Sequence, residues 1–270
     1  MRLLLLITLL TLTTLPVCVL NGGANAGVAC FSADPRQGLK NLGGLRPLGD
    51  ALHETTPPSG PPGSAAQIGF NPDSSAVFIT TKGNPGVTPK QPGHILAWPV
   101  QGGQVQKVPV RTQILDTYLD FGFSFLSKSR LFVVDPSYGA SVLTIDDHLK
   151  ITETVHTAVA SQKAICWAEY DANLGSAYGN DAGQDVIYTF SAATGALTGS
   201  ILFTTNGTSN LTGAFDGAIS GAYMYILSAA PGVVVLDLAR RSQIQFLDLG
   251  SLGSRQGWMG MAVFGRGNFN

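Results

Sequence analysis

One strand pattern recurs four times along the 270-residue chain. Each copy reads as an apolar strand, a short polar turn, an aromatic-centred strand, a loop rich in Gly or Asp, a third apolar strand, a second polar turn and a fourth strand. The copies open at residues 67–70, 122–125, 165–168 and 215–218. After turns at 71–75, 127–129, 171–173 and 220–221, their second strands follow at 77–79, 131–134, 177–178 and 223–226. Phe78, Phe132, Tyr178 and Tyr225 align, at spacings of 54, 46 and 47 residues. Third strands fall at 95–98, 142–145, 186–190 and 233–236, and fourth strands at 105–110, 151–155, 197–203 and 243–247. Four short strands at this period predict the blades of an all-β propeller. One four-stranded blade cannot bury both of its faces; radial stacking buries them and leaves only short edges. A β-sandwich also alternates strands and turns, but it need not repeat its strands in fours.

The two ends complete the pattern. Residues 257–264 read as a first strand with no strands after it, whereas 17–20, 27–31 and 45–48 read as second, third and fourth strands with no first strand before them. Joined, they would make one composite blade that closes the ring by pairing C-terminal with N-terminal strands, giving about five blades in one domain over 17–270. Two connectors are proline-rich: 54–64 carries Pro57, Pro58, Pro61 and Pro62, and 83–93 carries Pro85, Pro89 and Pro92. Proline excludes helix interior and central strand from both.

Residues 1–16 read as a secretory leader. A basic start, Met1 and Arg2, precedes an apolar run over 3–15 that is shorter than the roughly 20 residues a membrane span requires. A small-x-small run at 24–26 offers a later cut, which would remove Cys18. Asn206 and Asn210 each open an N-glycosylation sequon, which fits an exported chain. If 17–20 and 27–31 form a hairpin, Cys18 and Cys30 lie opposite each other and can form a disulfide in an oxidising compartment. Cys166, beside Trp167 in an apolar run, reads as a buried thiol. With 16 basic and 17 acidic residues the net charge is −1. Long phosphate tracts require a basic excess, so nucleic acid is not an expected partner.

Several stretches resemble a known family: VCVLNGG at 17–23 with GVACF at 27–31, TPP at 56–58 with GPP at 60–62, DPSYGAS at 135–141, AICW at 164–167 and SLGSRQG at 251–257. They are similar to secreted fungal proteins labelled 3-carboxymuconate cyclase, which belong to the lactonase-type seven-bladed propellers related to 6-phosphogluconolactonase. The resemblance runs from Val17 to Phe264. It implies a propeller with either a carboxymuconate cyclase or lactonase activity or a role as surface antigen, adhesin or ligand carrier. The family has seven blades where this chain accounts for five, so the resemblance implies an N-terminally shortened member. The related cyclases use His, Arg and Glu around the channel, a set that cannot be placed here residue by residue.

In a propeller, the loops joining second to third and fourth to first strands share one face. A lactonase-type site needs a cation for a carboxylate or oxyanion and an acid or base to move a proton. On that face Arg255 and Lys82 are the candidate cations, and Asp135, Asp181 or Asp216 the candidate acids. Asp216, Trp258, Tyr138 and His94 are candidate ligand-binding residues. Asp135 before Pro136 and Asp181 before Ala182 also fit turn positions whose carboxylates bind backbone N–H groups. No metal-ligand spacing, serine-hydrolase elbow or phosphate loop occurs, so no metal or cofactor is expected. Two functions follow as expectations. One is a secreted extracellular or cell-wall monomer binding a small molecule, a lipid or a matrix partner without catalysis. The other is a lactonase or carboxymuconate cyclase-type lyase. A third reading is a shortened chain that never closes its ring.

Overall fold

A computed structural model describes residues 16–263, apart from 50, 51, 53, 58, 59, 61, 206, 208, 209, 254 and 256. The leader therefore lies outside the described residues, as does Asn206. Among the described residues, twenty-one strands form five antiparallel sheets. Three follow the repeat in strict order. Blade 3 is β10 (Phe123–Ser127), β11 (Arg130–Asp135), β12 (Gly139–Ile145) and β13 (Ile151–Ala158). Blade 4 is β14 (Ile165–Asp171), β15 (Ser176–Asp181), β16 (Val186–Ser191) and β17 (Leu197–Leu202). Blade 5 is β18 (Ala214–Ser220), β19 (Tyr223–Ser228), β20 (Gly232–Asp237) and β21 (Ser242–Asp248).

Blades 1 and 2 are built differently from that plan. Blade 2 comprises β5 (Ala65–Phe70), β6 (Ala76–Thr81), β7 (His94–Gln101), β8 (Gln104–Val105) and β9 (Val110–Thr112). The strand expected at 105–110 is thus split: β8 only closes a hairpin on the end of β7, and β9 pairs further back along it. Pro109 has no N–H to donate, so the ladder breaks there. Blade 1 repeats this arrangement with β1 (Val17–Asn21), β2 (Gly27–Asp34), a hairpin strand β3 (Gly38–Asn41) that the pattern missed, and β4 (Arg46–Pro47). In β1 and β2, Cys18 pairs with Cys30, and their sulfurs are bonded.

The C-terminal strand is a correction. Among the described residues, 257–263 form no strand and do not pair with β1. Trp258 N–H closes a turn on Arg255 O, and Met261 N–H donates to Asp216 Oδ2 at 2.8 Å. These bonds hold the segment against blade 5.

Strand alternation explains the stacking, because successive side chains point to opposite faces. On β6, Val77 and Ile79 join Val28, Cys30 and Trp98 between blades 1 and 2, while Phe78 joins Phe123, Leu131 and Val133 between blades 2 and 3. On β11, Phe132 and Val134 turn the other way, toward Ile165, Tyr188 and Phe190 of blade 4. Ile187 and Tyr178 then meet Met224, Ile226 and Leu236 of blade 5. Each of these four junctions is thus an apolar cluster fed by both blades. Gly122 marks the closest approach of blades 3 and 4: a Cβ there would lie 2.6 Å from Cys166 O, so only glycine fits.

Candidate functional site at the central channel

Polar side chains stitch the innermost strands together. Gln67 on β5 donates from Nε2 to Phe123 O at 2.8 Å and accepts from Phe123 N–H at 2.9 Å. Asn180 on β15 donates to Phe215 O at 2.8 Å. The innermost strands also carry register shifts near their starts, between Ala65 and Ile68, Ile165 and Trp167, and Ala214 and Gly217. Such bulges re-aim side chains out of the ladder. Here they turn β5, β14 and β18 so that their side chains meet around one space.

That space is a cavity of about 500 Å³, walled by Gln67, Phe121, Ser124, Trp167, Glu169, Asp216 and their neighbours from blades 2 to 5. Its two carboxylates come from adjacent blades. Asp216 accepts Gly217 N–H at 3.0 Å through Oδ1 and Met261 N–H at 2.8 Å through Oδ2. Burial raises its pKa, and these amides oppose the rise. Glu169 has weaker support. Burial first, then the Asp216 charge, push its carboxyl up to about 8, with the Gly217 amide opposing. A carboxyl held at about 8 is protonated at neutral pH, so Glu169 is the acid of the pair, coupled to the Asp216 beside it.

An aromatic arc runs across blades 3, 4 and 5 beside the pair. Phe121 and Trp167 lie 5.3 Å apart between centroids, and Trp167 and Phe215 lie 5.2 Å apart. A cation caps each end. Lys82 Nζ sits 4.0 Å over Phe121, and the Arg255 guanidinium sits 4.6 Å over Phe215. Lys82 is buried, which lowers its pKa, and it donates to Ala65 O at 3.3 Å. Arg255 donates from Nε to Ser228 O at 2.6 Å and from Nη1 to Trp258 O. Both expected cations thus reach the channel arc and donate to backbone carbonyls, while Arg255 Nη2 is buried with no hydrogen-bond partner among the described residues.

The remaining sequence candidates are placed elsewhere. Asp181 is fully buried and accepts from Lys163 N–H, Ala164 N–H, Gly183 N–H and Gln184 Nε2 at 2.7 to 2.9 Å. Asp135 accepts from Leu119 N–H and Ser137 N–H at 2.8 and 2.7 Å. Neither carboxylate lines the cavity; both anchor turns. Tyr138 stacks on His156 with centroids 3.9 Å apart, and its hydroxyl meets Ser141 Oγ at 2.6 Å. His94 is also away from the cavity. Its Nε2 lies 2.8 Å from Arg111 Nη2 and 3.1 Å from Gln113 Nε2. Burial, then Arg111, lower its pKa to about 4, so Nε2 accepts these bonds as a neutral imidazole. Trp258 is half-buried beside Arg255. Asp216 alone among the expected acids enters the cavity. Its partner Glu169 was missed; the available signal was an acid placed within the largely apolar innermost strand β14, ahead of Asp171 at the strand's end.

No protein-family model matches the chain, and no curated protein does so significantly. Solved structures do. The periplasmic gluconolactonase of Pseudomonas aeruginosa superposes with a TM-score of 0.59 at 17% identity, over 87% of this chain and 68% of that one. A chain of a nidogen/laminin complex gives 0.55 at 13% identity, over 90% and 80%. A chain of a mitotic checkpoint complex gives 0.60 at 10% identity, over 88% and 62%. At such identities the likeness shows the fold alone. The protein is a β-propeller, and these neighbours are proteins of unlike description, so its function rests on its own channel residues.

Proposed function

We propose that this propeller binds a compact, hydroxyl-bearing ring, such as a sugar or sugar lactone, in its central channel, as an exported extracellular or cell-wall protein. The observation that carries the reading is the Glu169–Asp216 pair set against Trp167. A flat indole suits the apolar face of a ring, a protonated Glu169 offers a donor, and Asp216 offers an acceptor. Lipid, the other small ligand class considered, is a poorer match, because an acyl chain offers no hydrogen-bonding group to the two carboxyls it would desolvate. The apolar run at 3–15 supports export. The gluconolactonase neighbour makes an aldonolactone the first compound to test.

A second reading has its own support in the split pair. Ring opening of a lactone needs a base for the attacking water and an acid for the leaving ring oxygen. Asp216 would take a proton from water as the hydroxide oxygen bonds to the carbonyl carbon. The carbon–ring oxygen bond would then break, with Glu169 protonating the departing oxygen. The product is the open-chain hydroxy acid.

Titration of the protein with glucono-δ-lactone and with gluconate, read by tryptophan fluorescence and by acid release, tests both readings. Binding predicts a saturable signal that weakens at least tenfold in Trp167→Leu. Catalysis predicts acid release that Glu169→Gln abolishes while binding persists. No saturable signal with any sugar or lactone tested would overturn the binding reading. Saturable binding with no acid release would overturn the catalytic one.

A further inference from the structure

The link between β17 and β18, residues 203–213, is longer than the corresponding link at 159–164, and no channel contact uses it. Its ends are pinned. Gln243 clasps Thr204, accepting its N–H at 2.8 Å and donating to its carbonyl at 2.9 Å. At the far end, Gly213 N–H donates to Asp185 Oδ1 at 2.7 Å. Between these anchors the second sequon faces solvent: Asn210 and Thr212 are both exposed, with Leu211 59% exposed between them. Leu202, at the end of β17, is 71% exposed. Two exposed leucines, one at the start of this loop and one within it, are an association liability on a chain that is only 12% charged.

We propose that Asn210 is an N-glycan attachment site, and that the hydrated glycan shields this leucine-bearing edge of blades 4 and 5. The proposal does not depend on what the channel binds. The donor is a lipid diphosphate-linked oligosaccharide. The sugar C1–O bond to the diphosphate breaks and a bond from C1 to Asn210 Nδ2 forms. The amide proton passes to a base of the transferase, and the lipid diphosphate leaves. The Thr212 hydroxyl completes the acceptor motif, and both residues are exposed to solvent.

The test places a strong secretory leader ahead of the full chain, expresses it in a eukaryotic host, and maps the secreted protein by peptide mass before and after enzymatic deglycosylation. An Asn206→Gln background isolates the second sequon. The expected result is a glycan on the peptide carrying Asn210, absent from both Asn210→Gln and Thr212→Ala. Because Thr212→Ala keeps Asn210, loss of the glycan there reports the acceptor motif. The unglycosylated variants should also associate at lower protein concentration in light scattering. Chain recovered from the lumen or medium with Asn210 unmodified would overturn the proposal. So would a glycan at Asn210 that survives Thr212→Ala.

Discussion

Replacing Glu169 by Gln separates the proton at the channel from the shape of the side chain. A carboxyl raised from 4.5 to about 8 on folding makes the folded state bind the proton more tightly than the unfolded chain. Its contribution is therefore fully present below pH 4.5 and is lost as the pH rises through about 8. Each pK unit corresponds to 1.36 kcal/mol, so the interval sets a ceiling of about 5 kcal/mol. Glu169 is not fully shielded from water, and screening reduces this to about 2–4 kcal/mol. Gln cannot ionise. The variant should match the wild type within about 1 kcal/mol at pH 4.5 and exceed it by about 2–4 kcal/mol at pH 9. Urea unfolding of both proteins across this range provides the assay. Asp120, whose carboxyl is not coupled to Glu169, titrates in both proteins and cancels in the difference, whereas Asp216 is coupled to Glu169 and its change on substitution is part of the difference read. Parallel stability curves for the two proteins would refute the assignment of a neutral, buried Glu169.

Other outcomes follow from the same structure. Asp181→Ala removes the acceptor of three amide N–H groups and Gln184, and should cost about 2–5 kcal/mol in urea unfolding while leaving channel binding intact in the surviving folded protein. Reducing the Cys18–Cys30 bond, which spans a separation of 12 residues, should cost roughly 3 kcal/mol in unfolding measured with and without reductant. Phe132→Ala empties a site packed 5.1 Å from Phe190 at the junction of blades 3 and 4, and should cost about 3–5 kcal/mol, read by the same unfolding assay. If the channel opens lactones with Glu169 as acid, acid release at saturating substrate should decline as the pH rises through about 8, and a flat profile to pH 10 would exclude that role.

The blades were legible because their geometry imposes a period. The junctions between successive blades 1 to 5 draw alternate residues from two blades, so Phe78, Phe132 and Tyr178 recur at similar intervals, and Tyr225 keeps the same period. Where the plan was broken, the sequence was less informative. Pro109 split one strand, and β3, exposed along its length, had no apolar signal to reveal it. Residues 257–263 carry a strand-like pattern, yet their described contacts go to Asp216 and Arg255. The site was harder to read for a different reason. Asp135 and Asp181 sit at turn positions where the same residue type serves catalysis or backbone anchoring, and only their amide partners decide between them. Glu169 looked like one acid in a core strand. Its meaning arises from the bulge near Trp167 and from the adjacent blade that sets Asp216 beside it, and both are facts of assembly.

A crystal structure of the protein soaked with a non-hydrolysable sugar lactam tests the central claim most directly. The account predicts a ring lying against Trp167, with its polar rim within hydrogen-bonding distance of Glu169 and Asp216. An empty channel at saturating lactam, or a ring bound on another face of the propeller, would contradict it.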